Sequence, residues 1–122
     1  MYIASFGHEY MKEIRLKLTD VYIDIRDDYP KMAPETKKFG IDKKLQKQYF
    51  SIEGVKKYYK KKIRKKIKKK IKSRKNSHWR VFIGDDFGRL ESVMLAERLE
   101  HDMIKKYKVY PTIEHLTLTA GM

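Results

Sequence analysis

From Val55 to Ile71 an apolar residue returns at every fourth position: Val55, Tyr59, Ile63, Ile67 and Ile71. At about 100° per residue each four-residue step advances about 40° around a helix, so the five positions form one slowly winding seam. A basic tail free in solution has no need of periodic isoleucines, and the seam therefore predicts a packed helix over 55–75. The flanking segments divide in the same way. "YIASF" (2–6) has strand length and ends at Gly7. Residues 8–18 set Tyr10, Met11, Ile14 and Leu18 at near-helical spacing and predict a helix. "DVYIDI" (20–25) is rich in β-branched and aromatic residues and predicts a second strand. Pro30 and Pro34 mark a loop from Arg26 to Phe39. Asp42 is placed to cap a short helix running to Phe50, and Gly54 separates that helix from the basic one. "WRVFIG" (79–84) predicts a third strand and "TIEHLTL" (112–118) a last one. Between them, 89–107 is amphipathic, with Val93, Ala96, Leu99 and Met103 on one face and Leu95 and Ile104 beside it.

The order βαβ(αα)βαβ predicts an α/β fold. Its expected form is a small, mostly parallel sheet of about four strands with helices packed on it, in a Rossmann-like three-layer arrangement. A chain of 122 residues suits one domain, 1–122, because two cores would each be too small. There is no cysteine, which excludes disulfides and thiolate chemistry and fits a reducing compartment. No apolar run approaches the roughly 18–20 residues of a membrane span. "MYIASFGHEY" lacks the basic and apolar regions of a secretory signal, so the expected location is cytoplasmic.

Charge changes the picture at one place. The chain has 30 basic and 16 acidic residues, and "KKYYKKKIRKKIKKKIKSRK" (56–75) holds fourteen of the basic ones and no acid. Removing those fourteen leaves 16 basic against 16 acidic residues over the other 102, so the whole excess of +14 lies in one segment. The candidate polyanion-binding residues are Lys56, Lys57, Lys60, Lys61, Lys62, Arg64, Lys65, Lys66, Lys68, Lys69, Lys70, Lys72, Arg74 and Lys75. Lysine outnumbers arginine 23 to seven in the chain, which suits diffuse attraction to phosphates more than bidentate base readout. Tyr58, Tyr59 and Trp79 flank the segment and could stack on bases, although Tyr59 lies on the seam and Trp79 begins a strand.

A second candidate lies at the predicted strand ends. "FIGDDFGRLES" is a strand, a glycine-containing loop and a helix start, the place where parallel α/β folds bind phosphate. Asp85 and Asp86 put negative charge there. They either cap the helix or, with Asp24 and Asp27 of "DIRDDYP", hold a divalent metal. Capping and loop solvation are the simpler readings. His8 and His115 sit at strand ends and could reach the same crevice, while His78 and His101 belong to a turn and a helix surface. No paired-histidine spacing and no phosphate-loop sequence occurs, and no cofactor is implied.

Several short stretches, in order along the chain, resemble the carboxy-terminal domain of the RNase adapter protein RapZ. They are "SFG" (5–7), "DIR" (24–26), "GIDK" (40–43), "IG" with Gly88 and "SV" (83–93), "AERL" (96–99) and "HLTL" (115–118). The resemblance implies a stand-alone version of that α/β domain, self-association, a phosphorylated amino-sugar ligand, and contact with small RNA and a ribonuclease. The ligand crevice it implies comprises Ser5, Gly7, Asp24, Arg26, Gly84, Asp85, Asp86, Gly88, Arg89, Ser92 and His115. Where the family has CTGGxHRS this chain has Asp85 to Ser92, which keeps Gly88, Arg89 and Ser92 and lacks the other small, hydroxyl and cationic groups.

The leading expectation is a non-catalytic RNA-binding adapter acting through the lysine-rich helix, and a homo-oligomer. Two others stand beside it. One is a phosphometabolite sensor or metal-assisted phosphoesterase at the strand ends. The other is an interaction module whose lysine face docks on a ribonuclease or another acidic protein. The seam lacks the broad apolar face and aromatic anchors of a membrane-surface helix, so no membrane partner is expected.

Overall fold

The computed structural model describes residues 1–32, 38–73 and 78–121. Four strands form one all-parallel sheet: β1 (Tyr2–Gly7), β2 (Val21–Asp24), β3 (Arg80–Asp85) and β4 (Thr112–His115), in the order β2-β3-β1-β4. Tyr2 pairs with Arg80 on one side and Thr112 on the other, and Val21 with Val81. This is the expected α/β class, a small parallel sheet with helices packed on it.

The connections follow from handedness. β2 to β3 and β3 to β4 step in one direction along the sheet, so right-handed crossovers place both on the same face. That face carries α1 (Lys43–Ser51), the helix formed by α2 (Val55–Tyr59), a π-helical turn (Lys60–Arg64) and α3 (Lys65–Ser73), and finally α4 (Glu91–Tyr107). The step from β1 to β2 runs the other way, and its connection must cross the opposite face. There Met11 and Ile14 pack against Ala4, Phe6 and Phe82, whereas the main core gathers Ile3, Val21, Ile23, Val81 and Ile83 with the helices. The sheet thus lies between a helical layer and an irregular covering segment.

That covering segment corrects one expectation. Residues 8–18 do not form a helix. The Gly7 carbonyl accepts from both Tyr10 and Met11 N–H, making a tight turn, and Lys17 N–H is held by Asp20 Oδ2. Leu18 is fully exposed. The apolar residues of this stretch have a helical spacing by coincidence, and only Met11 and Ile14 meet the sheet. The last strand is also shorter than expected, ending at His115, with 116–121 in turns.

The remaining boundaries agree. Asp42 caps α1 by accepting Leu45 N–H at 3.0 Å. Val93, Ala96, Leu99 and Met103 of α4 are buried together with Met94 and Leu95. Val55, Tyr59, Ile63 and Ile67 of the basic helix are buried and Ile71 packs at the rim of the core. The π-helical turn has a physical reason. A four-residue repeat outruns an α-helical turn by about 40° each time, and i→i+5 bonding widens the turn and takes back part of that drift. The seam therefore stays turned toward the core along its length.

Candidate functional site

The basic helix begins after Gly54, whose φ of +88° is a left-handed conformation suited to glycine. Its seam faces inward, which turns the lysines out. Lys56, Lys57, Lys60, Lys61, Lys65, Lys66, Lys68, Lys69 and Lys72 are exposed; Lys62, Arg64 and Lys70 are half-buried. Arg74 and Lys75 lie outside the described residues. Tyr59 anchors the helix to α4 by donating its hydroxyl hydrogen to Asp102 Oδ2 at 2.8 Å in the interior. Burial, reinforced by that carboxylate, pushes the Tyr59 phenol far above its ordinary range. On the other side Tyr58 donates to Asp28 Oδ1 at 2.9 Å, and Lys62 pairs with Asp28 Oδ2 at 3.0 Å.

What matters electrostatically is where the carboxylates go. Asp20 is paired with Arg80 at 2.6 Å, Asp24 with Arg26 at 2.8 Å, and Glu97 with Lys43 at 2.9 Å. Asp102 takes Tyr59 and lies near Arg98 and Lys106. Asp42 caps α1, while Asp85 and Glu91 are buried and accept backbone N–H groups. Among the described residues, Lys70 aside, the carboxylate within ion-pair distance of the basic helix is Asp28. The nine exposed lysines of the helix face solvent. Trp79 and Tyr59 are buried and Tyr58 is engaged with Asp28, so none of the three is presented as a stacking platform.

The strand-end crevice takes a different form. The chain turns to opposite faces after β1 and β3, and these adjacent strands define the switch point where α/β folds bind ligands. Here the gap is filled by the protein itself. His8 and Glu9 N–H donate to the carbonyls of Asp85 and Asp86. Gly7 lies directly against Phe87 and Gly88, with no room for a side chain at Gly7 or Gly88, and Gly88 has φ +69°. Gly84 is packed under Phe6 and His8. Asp85 is buried at the start of α4, where Oδ1 accepts Gly88 N–H at 2.5 Å and Oδ2 accepts Ser92 N–H at 2.9 Å. Its carboxylate occupies the position at which a phosphate meets a helix N-terminus. Desolvation pushes its pKa up, opposed by the two N–H donors.

The four aspartates do not converge, which tells against the alternative reading of a divalent-metal site. Asp24 is held by Arg26, which draws its pKa down to about 2, while Asp85 lies beneath α4. Among the described residues no three His, Asp or Glu side chains stand close enough to hold a metal. His8 is also committed: its Nδ1 meets the Asp85 carbonyl at 2.8 Å and its Nε2 meets the Tyr22 hydroxyl. Arg89 is exposed beside Tyr10 and Phe87 around a cavity of about 300 Å³.

One chain of contacts escaped sequence reasoning. Ser5 Oγ lies 2.6 Å from His115 Nδ1, and His115 Nε2 lies 3.0 Å from Glu97 Oε2. Glu97 also accepts from Lys43 and Gln46, and its pKa falls to about 2, chiefly through the bond to His115. The residue types are those of a hydrolytic triad. Ser5, however, is fully buried in the middle of β1, paired to β3 and β4, and no substrate carbonyl can approach its oxygen. The chain fastens α4 and α1 to the sheet.

No helix among the described residues is long and apolar enough to cross a membrane. No family model matches the chain, and no curated protein matches it.

Proposed function

We propose that this protein is a non-catalytic adapter that holds RNA by its phosphates through the 55–73 helix. The observation that supports this reading is the cationic face just described, folded and pinned by its apolar seam, with nine exposed lysines on it and one ion pair to it, Lys62 with Asp28, among the described residues other than Lys70. The helix has 19 residues and spans about 28 Å, long enough to meet several phosphates at once. With the flanking aromatics engaged in the fold, recognition rests on charge and shape rather than on stacking or base edges. The motif resemblance to the RapZ carboxy-terminal domain is in keeping with such a role. A strand-end phosphate ligand has less support, because the Asp85 carboxylate already takes the Gly88 amide before α4 and the Ser92 amide in its first turn.

Fluorescence anisotropy with labelled duplex and single-stranded RNA between about 50 and 200 mM salt tests the proposal. Six to ten phosphate contacts lose a factor of about 10³ to 10⁵ in affinity over that range. Salt-independent affinity would overturn it, as would capture of an acidic protein in place of RNA from nuclease-treated extract.

A further inference from the structure

β4 closes one side of the sheet, and its outer edge has the features of a pairing surface. Thr112 N–H donates to the Met1 carbonyl and Leu116 N–H to the Ser5 carbonyl. Even-numbered residues of β4 therefore turn their backbone groups toward β1, and Ile113 and His115 turn theirs outward. The opposite edge, β2, is guarded: Lys66 Nζ donates to the Tyr22 carbonyl at 3.4 Å, and Lys69 flanks the same cleft. Lysine along an edge is a common protection against strand pairing. From Tyr110 to Leu118 there is no lysine at all. Instead two apolar residues are presented there, Tyr110 at 74% exposure and Leu116 at 38%.

These two residues are placed symmetrically, each three positions from Ile113. We propose that β4 pairs antiparallel with β4 of a second copy about a two-fold axis through Ile113, making a continuous eight-stranded sheet. In that register the two Ile113 residues exchange N–H and C=O bonds, and each His115 N–H reaches the Pro111 carbonyl of the other copy. Pro111 has no N–H to waste at the end of the ladder and biases Tyr110 toward extended backbone. Tyr110 then stands directly opposite Leu116 of the second copy, twice by symmetry, and Thr112 opposite Glu114. Centring the axis on Glu114 instead would set two glutamates face to face at the close spacing of a non-hydrogen-bonded pair. Charge selects the Ile113 register.

The geometry has a consequence for the basic helices. A two-fold axis normal to the sheet keeps both helical layers on one side. The two β2 edges are separated by seven strand intervals of about 4.8 Å, or roughly 34 Å before twist. One polyanion can therefore touch both lysine faces. The pairing itself does not depend on RNA binding.

Sedimentation equilibrium on nuclease-treated protein in high salt tests it, with RNA affinity measured separately. The wild type is expected at twice the 14.7 kDa chain mass. Tyr110→Lys and Leu116→Glu should each give monomers with an unchanged circular dichroism spectrum. The double variant should restore the dimer, because the two introduced charges are opposite and face each other. A wild type that stays monomeric at every concentration overturns the proposal, and so do single variants that stay dimeric. A double variant that remains monomeric overturns the register.

Discussion

Tyr59 and Asp102, 43 residues apart in sequence, meet in the interior at 2.8 Å and tie the basic helix to α4. The bond does two things. It supplies a donor to a carboxylate that is only 4% exposed, and it reinforces the apolar seam that turns the lysines away from the core. Tyr59→Phe keeps the ring, including its edge contact with Phe50, and removes only the donor. A buried acceptor left short costs about 1–3 kcal/mol, and Arg98 and Lys106, 3.9 and 4.0 Å from Asp102, offset a part. The melting temperature should fall by several degrees. RNA affinity measured well below the melting temperature should not change.

The seam and the lysine face are separable by mutation. Ile63 is fully buried, and Ile63→Ala should cost about 2–5 kcal/mol through lost burial and a cavity. Lys60, Lys61, Lys65 and Lys68 are exposed. Changing all four to Gln should leave stability unchanged or slightly raised, because mutual repulsion along the helix falls. RNA affinity should drop, and the slope of log affinity against log salt should fall by about 0.9 for each duplex phosphate contact removed. Denaturant titration and anisotropy on the same two variants distinguish the roles. Loss of stability in the quadruple variant would show that the lysines are held by the fold instead.

Acid sensitivity should centre on Glu97. Its folded pKa is lowered from 4.5 to about 2 by His115, Lys43 and Gln46. A depressed carboxylate stabilises the fold at pH above its unfolded value, and that contribution is lost as pH falls from about 4.5 toward 2. Glu97→Gln removes the contribution at every pH. The variant should be less stable at neutral pH and show a flatter stability profile below pH 4.5. Asp24, drawn from 3.8 down to about 2, loses its contribution between those values, so some acid dependence persists in the variant. Urea midpoints between pH 2 and 7 check both.

Much of this fold is legible in the sequence because its signals are local. The apolar runs of β1 and β3, the Asp42 cap and the face of α4 each lie within one element, and the four-residue seam announces a packed helix. The segment 8–18 misleads because spacing alone cannot tell a helix from an irregular strap. The deciding facts are the turn on the Gly7 carbonyl and the handedness that sends this connection to the other face. At the strand ends the sequence places Asp85 in the turn before a helix and favours its reading as a cap, but its burial and its two N–H partners, Gly88 and Ser92, depend on the tertiary packing and are not local signals. The Ser5–His115–Glu97 chain is invisible to local pattern, since Ser5 and His115 are 110 positions apart.

Lys108 offers a test of local strain at the end of α4. It has φ +56° and ψ +31°, the left-handed conformation, and closes the helix while Val109 N–H returns to the Met103 carbonyl at 3.1 Å. For a residue with a Cβ that conformation costs roughly 1–2 kcal/mol, and glycine is the usual occupant of such a position. Its side chain is exposed, so nothing packed is lost on truncation. The greater freedom of glycine in the unfolded chain takes back part of the gain. Lys108→Gly should therefore stabilise the protein by about 0.5–1 kcal/mol, read as a raised urea midpoint with an unchanged slope. Lys108→Ala removes the same charge and keeps the Cβ. If the alanine variant were stabilised equally, relief of charge and not of backbone strain would be the cause.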